Sequence, residues 1–313
     1  MNKNINLNQL HSTKLIGLDF YFDEMIDLYK ANKFPKVLLL NGKKGIGKFT
    51  LVMHFINYIF SKDEITKYNL KEKIINVNSV FYNLFLNRTT QDIIFIQAEE
   101  NKNIKIEDIR SLKSTLANTS LSNKPRFVII DEVEFLNTNS VNALLKTLEE
   151  PSDNNFFILI NNQQANLIET ISSRSLKNNI FLSTVKSNDV INYLVNDRVV
   201  ENLLTSKSNL SPGQFFEFNK IFSKYKMNKN DNIFDLLNIL ISAYKKEKDK
   251  SLINLIYYLI DCSFFDKIKN NKKNIDFLLN TKSSIVKIIH NFVQFNINIA
   301  SVLNSIKVKL NNV

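Results

Sequence analysis

"KVLLLNGKKGIGKFT", residues 36–50, decides how this chain of 313 residues is read. Residues 36–40 form a short, largely apolar run of strand length. A loop carrying Gly42, Gly45 and Gly47 follows. After it, FTLVMHFINYIF (49–60) is apolar enough for a buried helix. Strand, Gly-rich loop and helix is the context in which backbone N–H groups cradle phosphates and a helix N-terminus favours negative charge. Gly42, Gly47 and Lys48 meet the spacing G-x-x-x-x-G-K, and Lys48 would reach the β- and γ-phosphates. The next residue should be a Ser or Thr whose hydroxyl ligates Mg²⁺. Phe49 stands there instead. The first hydroxyl, on Thr50, arrives one place late, about 100° further round a helix of 3.6 residues per turn. On the residues alone, the loop is either a nucleotide site or a loop kept for packing.

Composition adds weight to the loop. The chain has five glycines, and three fall in this one window; the others are Gly17 and Gly213. Scarce glycines gather where a backbone needs positive φ or close approach. The net charge of +11 suits a nucleic-acid partner. Only five of the 41 basic residues are Arg, however, and the Lys excess runs along the whole chain beside abundant Asn, Ile and Phe, so a general compositional drift explains the charge equally well. Cys262 is the only cysteine, which excludes an internal disulfide and a Cys-based zinc site. His11, His54 and His290 are scattered without metal-ligand spacing, so no protein-held metal is expected. No apolar run approaches membrane-span length, and MNKNINLNQLHSTK lacks the apolar core of a signal peptide. A soluble cytoplasmic protein is expected.

Outward from the loop, DIIFIQ (92–97), Phe127–Ile130, FFILI (156–160) and Asn179–Leu182 read as further strands. The spacing of Ile106, Ile109, Leu112 and Leu116 predicts a helix within 104–121. NSVNALLKTLEE (139–150) predicts another, capped by Asn137 or Thr138 and stopped by Pro151. Such alternation argues for a mainly parallel, doubly wound sheet. Residues 61–90 are polar and Lys-rich without a strong period. Beyond about residue 183 helical periods run almost throughout, with a break at LSPGQ (210–214). The expected organisation is a nucleotide-binding-like α/β domain over 1–180, a small helical domain over 181–222 and a helical domain over 223–313.

Two further sites carry chemistry. Asp131-Glu132 ends a buried apolar strand. There Asp131 would hold Mg²⁺ through water, and Glu132 would orient an attacking water. Arg174, in ETISSRS (169–175), sits between serines and outside any apolar stripe. It is either a solvated surface residue or a finger reaching a neighbouring subunit's nucleotide, a task that suits the rigid, always-charged fork of Arg.

IIDEVEFLNTNSVNALLKTLEEP (129–151) and FFILINNQQANLIETISSRS (156–175) resemble the clamp-loader AAA+ proteins of bacterial DNA polymerase III. NALLKTLEEP is among that family's most specific signatures, and its S-R-C motif is matched by Ser173-Arg174-Ser175. Residues 15–48 and LSPGQ resemble family segments too. The likeness covers about residues 12–220. It implies an AAA+ P-loop domain with a parallel five-stranded sheet, a helical lid and an all-α C-terminal collar. It implies ATP and Mg²⁺ at Gly42, Gly45, Gly47, Lys48, Thr50, Asp131 and the sensor position Asn161 or Asn162. The implied partners are tau/gamma- and delta-type subunits, a sliding clamp and primed DNA.

Four departures stand out. Phe49 replaces the Mg²⁺ ligand, Gln214 stands where the lid's phosphate-sensing Arg is expected, Asn161 or Asn162 stands where Thr is common, and the four-Cys zinc module of many relatives is absent between 61 and 91. The losses fall on the chain's own ATP site, where Glu132 is expected to be vestigial, while Arg174, which would serve a neighbour in trans, is retained. The resemblance therefore implies a ring stator with weak or lost ATPase. An ATP-hydrolysing motor subunit, an autonomous ATPase and a DNA-binding module with a vestigial nucleotide fold are the alternatives.

Overall fold

The computed structural model describes residues 12–87, 89–98, 103–117, 124–196, 204, 210–228, 230–270 and 274–311. The chain divides into two compact units: Met1–Tyr193 together with Leu210–Gln214, and Leu194–Asn209 together with Phe215–Val313.

The first unit is built on five parallel strands: β1 (Val37–Asn41), β2 (Ile93–Gln97), β3 (Arg126–Asp131), β4 (Asn155–Asn161) and β5 (Leu176–Asn179). Their order is β2-β3-β4-β1-β5. Every residue of β1 and β3 is buried, because helices cover both faces. Alternate side chains divide the strands between two cores. Leu38, Leu40, Phe127, Ile129, Ile158 and Ile160 pack with Phe22 and Met25 of α1 (Asp19–Lys30) and with Leu51 and Phe55 of α2 (Lys48–Phe60). On the other face, Leu39, Val128, Ile130 and Leu159 pack with Ile109 and Leu112 of α4 (Ile106–Ala117) and Leu144 and Leu148 of α5 (Thr138–Glu149). Asn137 caps α5, its side chain accepting the Ser140 N–H at 2.8 Å, as the sequence suggested.

The polar span 61–90 conceals more order than its sequence signals. It contains a short helix, α3 (Val80–Leu86), capped by Ser79. Tyr68, Ile75, Phe81 and Phe85 are buried in the α1–α2 core, and Phe81 stacks on Phe60 at 4.6 Å. His54 of α2, wholly buried, ties the span to the chain's early residues. Its Nε2 donates to the Ser12 carbonyl at 2.9 Å, which leaves Nδ1 to accept from the Tyr68 hydroxyl at 2.8 Å.

The fifth strand lies at Leu176–Asn179, three residues before the expected Asn179–Leu182. It is an edge strand whose residues are mostly exposed, so apolar character does not mark it. The apolar signal comes from Ile180, which is buried just past its end.

Helix α6 (Glu169–Ser172) precedes β5, and α7 (Thr184–Asn196) and α8 (Pro212–Lys224) follow. In the second unit, α9 (Ile233–Glu247), α10 (Lys250–Asn270), α11 (Ile275–Phe295) and α12 (Ile299–Asn311) pack in succession, and α12 returns to α9. α11 and α12 are separated at Asn296, which adopts φ of 50°. No helix among the described residues is long and apolar enough to cross a membrane.

Candidate nucleotide site and arginine turn

The loop from Gly42 to Lys48 leaves β1 at the carboxyl end of the sheet, where ligands of α/β folds bind. Gly45 and Gly47 take φ of 81° and 97°, the left-handed region that accounts for glycine there. Lys48 is 2% exposed, and its ammonium donates to the loop's own carbonyls, Gly42 O at 2.6 Å and Lys43 O at 2.7 Å. Burial lowers its pKa to about 8, and Lys44 adds to that; Asp131 and Glu134 oppose it.

The head of α8 lies directly on this loop. The Gly213 N–H donates to Gly45 O at 2.8 Å. A Cβ on Gly213 would stand 2.6 Å from the Gly45 Cα, so neither backbone admits a side chain at the contact. The break read at LSPGQ falls at the start of α8. Ser211 Oγ accepts the Gln214 N–H at 3.3 Å, and Gln214 Oε1 accepts the Ser211 N–H at 3.1 Å, with Pro212 in the first turn. This reciprocal pair is a capping box. Gln214, at the expected position of the lid Arg, is thus engaged with its own helix cap.

Asp131 is 7% exposed and accepts the Glu132 N–H at 2.8 Å and the Asn162 side-chain amide at 3.0 Å. Burial first, then the Glu132 charge, pushes its pKa up to about 7, against those hydrogen bonds and Lys48. Glu132 adopts φ of 58°, a strained conformation for a non-glycine residue, and pairs with Lys44 Nζ at 3.0 Å. Lys44 thus ties the phosphate loop to the acid expected to act on water.

Of the two sensor candidates, Asn162 bonds Asp131, while Asn161 joins a side-chain ladder across three strand ends. Asn161 Nδ2 donates to Asn41 Oδ1 at 2.9 Å, and Asn41 Nδ2 donates to Asn179 Oδ1 at 2.7 Å. Glu134, which the sequence reading passed over, is 6% exposed and accepts the Asn162 N–H through both oxygens, at 3.0 and 3.1 Å. Burial raises its pKa. A third acid in the run DEVE was the signal available for it.

Phe49 is 8% exposed, and its ring lies 5.1 Å from that of Phe95 on β2. It is a core residue and offers no metal ligand. Thr50 is half-buried on the same first turn of α2. The residues present fit a phosphate group, through the loop amides and Lys48. The hydroxyl that would ligate Mg²⁺ is replaced by Phe49, and the Gln214 side chain is committed to its cap. Among the described residues no group of three or more His, Cys, Asp or Glu could hold a metal ion.

Arg174 stands apart from these residues, on the turn between α6 and β5. Its Nε donates to Glu149 Oε1 at 2.6 Å, and its Nη1 to Thr170 O at 3.2 Å and Ser173 Oγ at 3.3 Å. The turn is anchored by Ile171, wholly buried against α5 and the sheet.

The parallel strand order, the Gly-rich loop after β1 and the acids ending β3 define a P-loop protein of the AAA+ class. Residues 19–182, just over half of the chain, match the family described as "DNA polymerase III, delta subunit", and the chain belongs to that clamp-loader family. A gamma subunit of DNA polymerase III from Buchnera aphidicola (Schizaphis graminum) is 28% identical over 58% of this chain and 47% of its own length. A delta' subunit from Pseudomonas aeruginosa is 30% identical over 44% of this chain and 41% of its own. The matched region thus spans less than half the length of these curated relatives. Among solved structures, a gamma-subunit-related protein of Thermotoga maritima covers 92% of this chain and 98% of its own at a TM-score of 0.51 and 16% identity, which shows a shared fold.

Proposed function

We propose that this chain is a delta-prime-type stator of a DNA polymerase III clamp loader, assembling with tau/gamma- and delta-type subunits to load a sliding clamp on primed DNA. In this reading it hydrolyses little or no ATP itself and supplies Arg174 in trans to ATP held by an adjacent motor subunit. Residues 181–222 serve as a lid, and 223–313 as the collar through which the ring assembles.

One asymmetry carries the reading. The chain's own phosphate loop is closed on itself: Lys48 bonds loop carbonyls, Lys44 holds Glu132, and Gly213 sits on Gly45. Arg174, by contrast, lies on an anchored turn with its side chain one-third exposed. Trans arginines of this kind contribute roughly 10³–10⁵ in turnover in well-studied GTPases. Co-purification of the chain with tau/gamma- and delta-type subunits tests the assignment; a chain that associates with none of them contradicts it.

The second reading, a motor subunit or autonomous ATPase, draws on the retained Asp131-Glu132 pair and on the resemblance to gamma subunits. Steady Mg-ATP turnover by the isolated chain, abolished in Glu132→Gln, would establish it over the first. The stator reading predicts no turnover above background.

A further inference from the structure

We propose that Glu149 is the positioning residue of Arg174, holding the guanidinium through Nε so that Nη2 is left to meet a neighbour's phosphate. This rests on the reading of Arg174 as a finger acting in trans. Glu149 is the last residue of α5 and belongs to the TLEEP run, which the proposed function has not otherwise used.

Both partners of the ion pair are held by rigid structure. Leu144 and Leu148 bury α5 under the sheet, and Pro151 follows its end. The arginine turn is fixed by Ile171 in the same core. It is closed by Ser173 N–H to Glu169 O at 2.9 Å, Arg174 N–H to Ile171 O at 3.2 Å and Ser175 Oγ to Ile171 O at 2.9 Å. Between these anchors the guanidinium donates through Nε to Glu149 and through Nη1 to Thr170 and Ser173. Arg has five N–H donors in a fixed fork. Among the described residues the two on Nη2 have no hydrogen-bond partner, and they are the donors left for a phosphate oxygen.

A long, flexible side chain is thereby oriented before it meets its ligand. Donors fixed in advance are what stabilise charge developing in a transition state. The pair contributes little as a stabiliser, because both side chains are substantially exposed, 33% for Arg174 and 45% for Glu149. Loss of Glu149 should leave the fold intact and change only where the guanidinium points.

The test is a double-mutant cycle in the reconstituted loader, reading kcat and KM of the DNA- and clamp-stimulated ATPase. Glu149→Ala is expected to lower kcat roughly tenfold with KM for ATP unchanged, in line with the cost of misplacing a catalytic group. Glu149→Gln, which keeps a neutral acceptor for Nε, should fall between wild type and Glu149→Ala. In the Arg174→Ala background Glu149→Ala should have no further effect, because the group it positions is gone. Two results would overturn the proposal while leaving the trans finger intact: Arg174→Ala lowers kcat but Glu149→Ala does not, or the two losses multiply. If Arg174→Ala itself has no effect, the trans-finger reading fails and this proposal falls with it.

Discussion

Phe49, at the scale of one residue, puts core where a phosphate loop would place a Mg²⁺-ligating hydroxyl. Its ring packs against Phe95, 5.1 Å away, and it is 8% exposed. Restoring the hydroxyl should therefore damage the fold before it helps any chemistry. Phe49→Thr is expected to cost about 2–4 kcal/mol, the range of large-to-small core substitutions, with no gain in Mg-ATP turnover, since Gln214 remains in its capping box. Urea unfolding and a turnover assay on the same variant check both halves. The candidate residues could be picked out because each stands in a telling place: glycines in a Gly-poor chain, Asp131-Glu132 at a strand end, one Arg between serines. Their partners were not. Lys44 on Glu132, Glu149 on Arg174 and Glu134 on Asn162 join residues 88, 25 and 28 positions apart, and no local pattern encodes such pairings.

At the scale of elements, the buried strands and long amphipathic helices were readable because burial on both faces or on one stripe leaves an apolar signature. β5 was misplaced because an exposed edge strand carries no such mark. The span 61–90 was unreadable because its anchors are single residues that meet α2 only in the fold. Tyr68 is the clearest of these. Its hydroxyl donates to buried His54, and burial, with Asp19 and Asp23, raises its pKa. Tyr68→Phe leaves His54 Nδ1 without its donor and should destabilise the protein by about 1–3 kcal/mol, measured as a shift in the urea midpoint with m unchanged. The phosphate loop and the head of α8 meet at glycine backbones. Gly213→Ala puts a methyl 2.6 Å from the Gly45 Cα and must push the two backbones apart. It should cost about 1–3 kcal/mol, whereas alanine at Asn142, exposed on α5, should cost almost nothing.

At the scale of the whole molecule, the buried acids give folding a pH dependence of unusual sign. A carboxyl whose pKa is raised by folding keeps its proton where the unfolded chain has lost it. For Asp131 that window runs from the ordinary Asp value, about 4, up to about 7. Through it stability falls as pH rises, by at most about 1.4 kcal/mol per unit; Glu134 acts in the same direction. Lys48 acts oppositely and later: above about 8 its amine is neutral in the folded state while the unfolded chain stays charged to about 10.4, so stability rises across that interval. Urea unfolding at pH 5, 6 and 7 should show the decline, and Asp131→Asn should flatten it. An equal slope in the variant would assign the effect elsewhere. The helical character of the C-terminal third was plain in its periods, but which of its faces meet partners was not, because an amphipathic stripe looks the same whether it covers a neighbouring helix or a neighbouring subunit.

In the proposed function this chain completes another subunit's active site while its own phosphate loop stays closed. The direct measurement is the DNA- and clamp-stimulated ATPase of the reconstituted loader with the chain intact and with Arg174→Ala, alongside a check that both complexes assemble. A stator acting through Arg174 should show a clear loss of turnover with assembly preserved. Unchanged turnover in a fully assembled complex would contradict it and leave Arg174 as a surface residue.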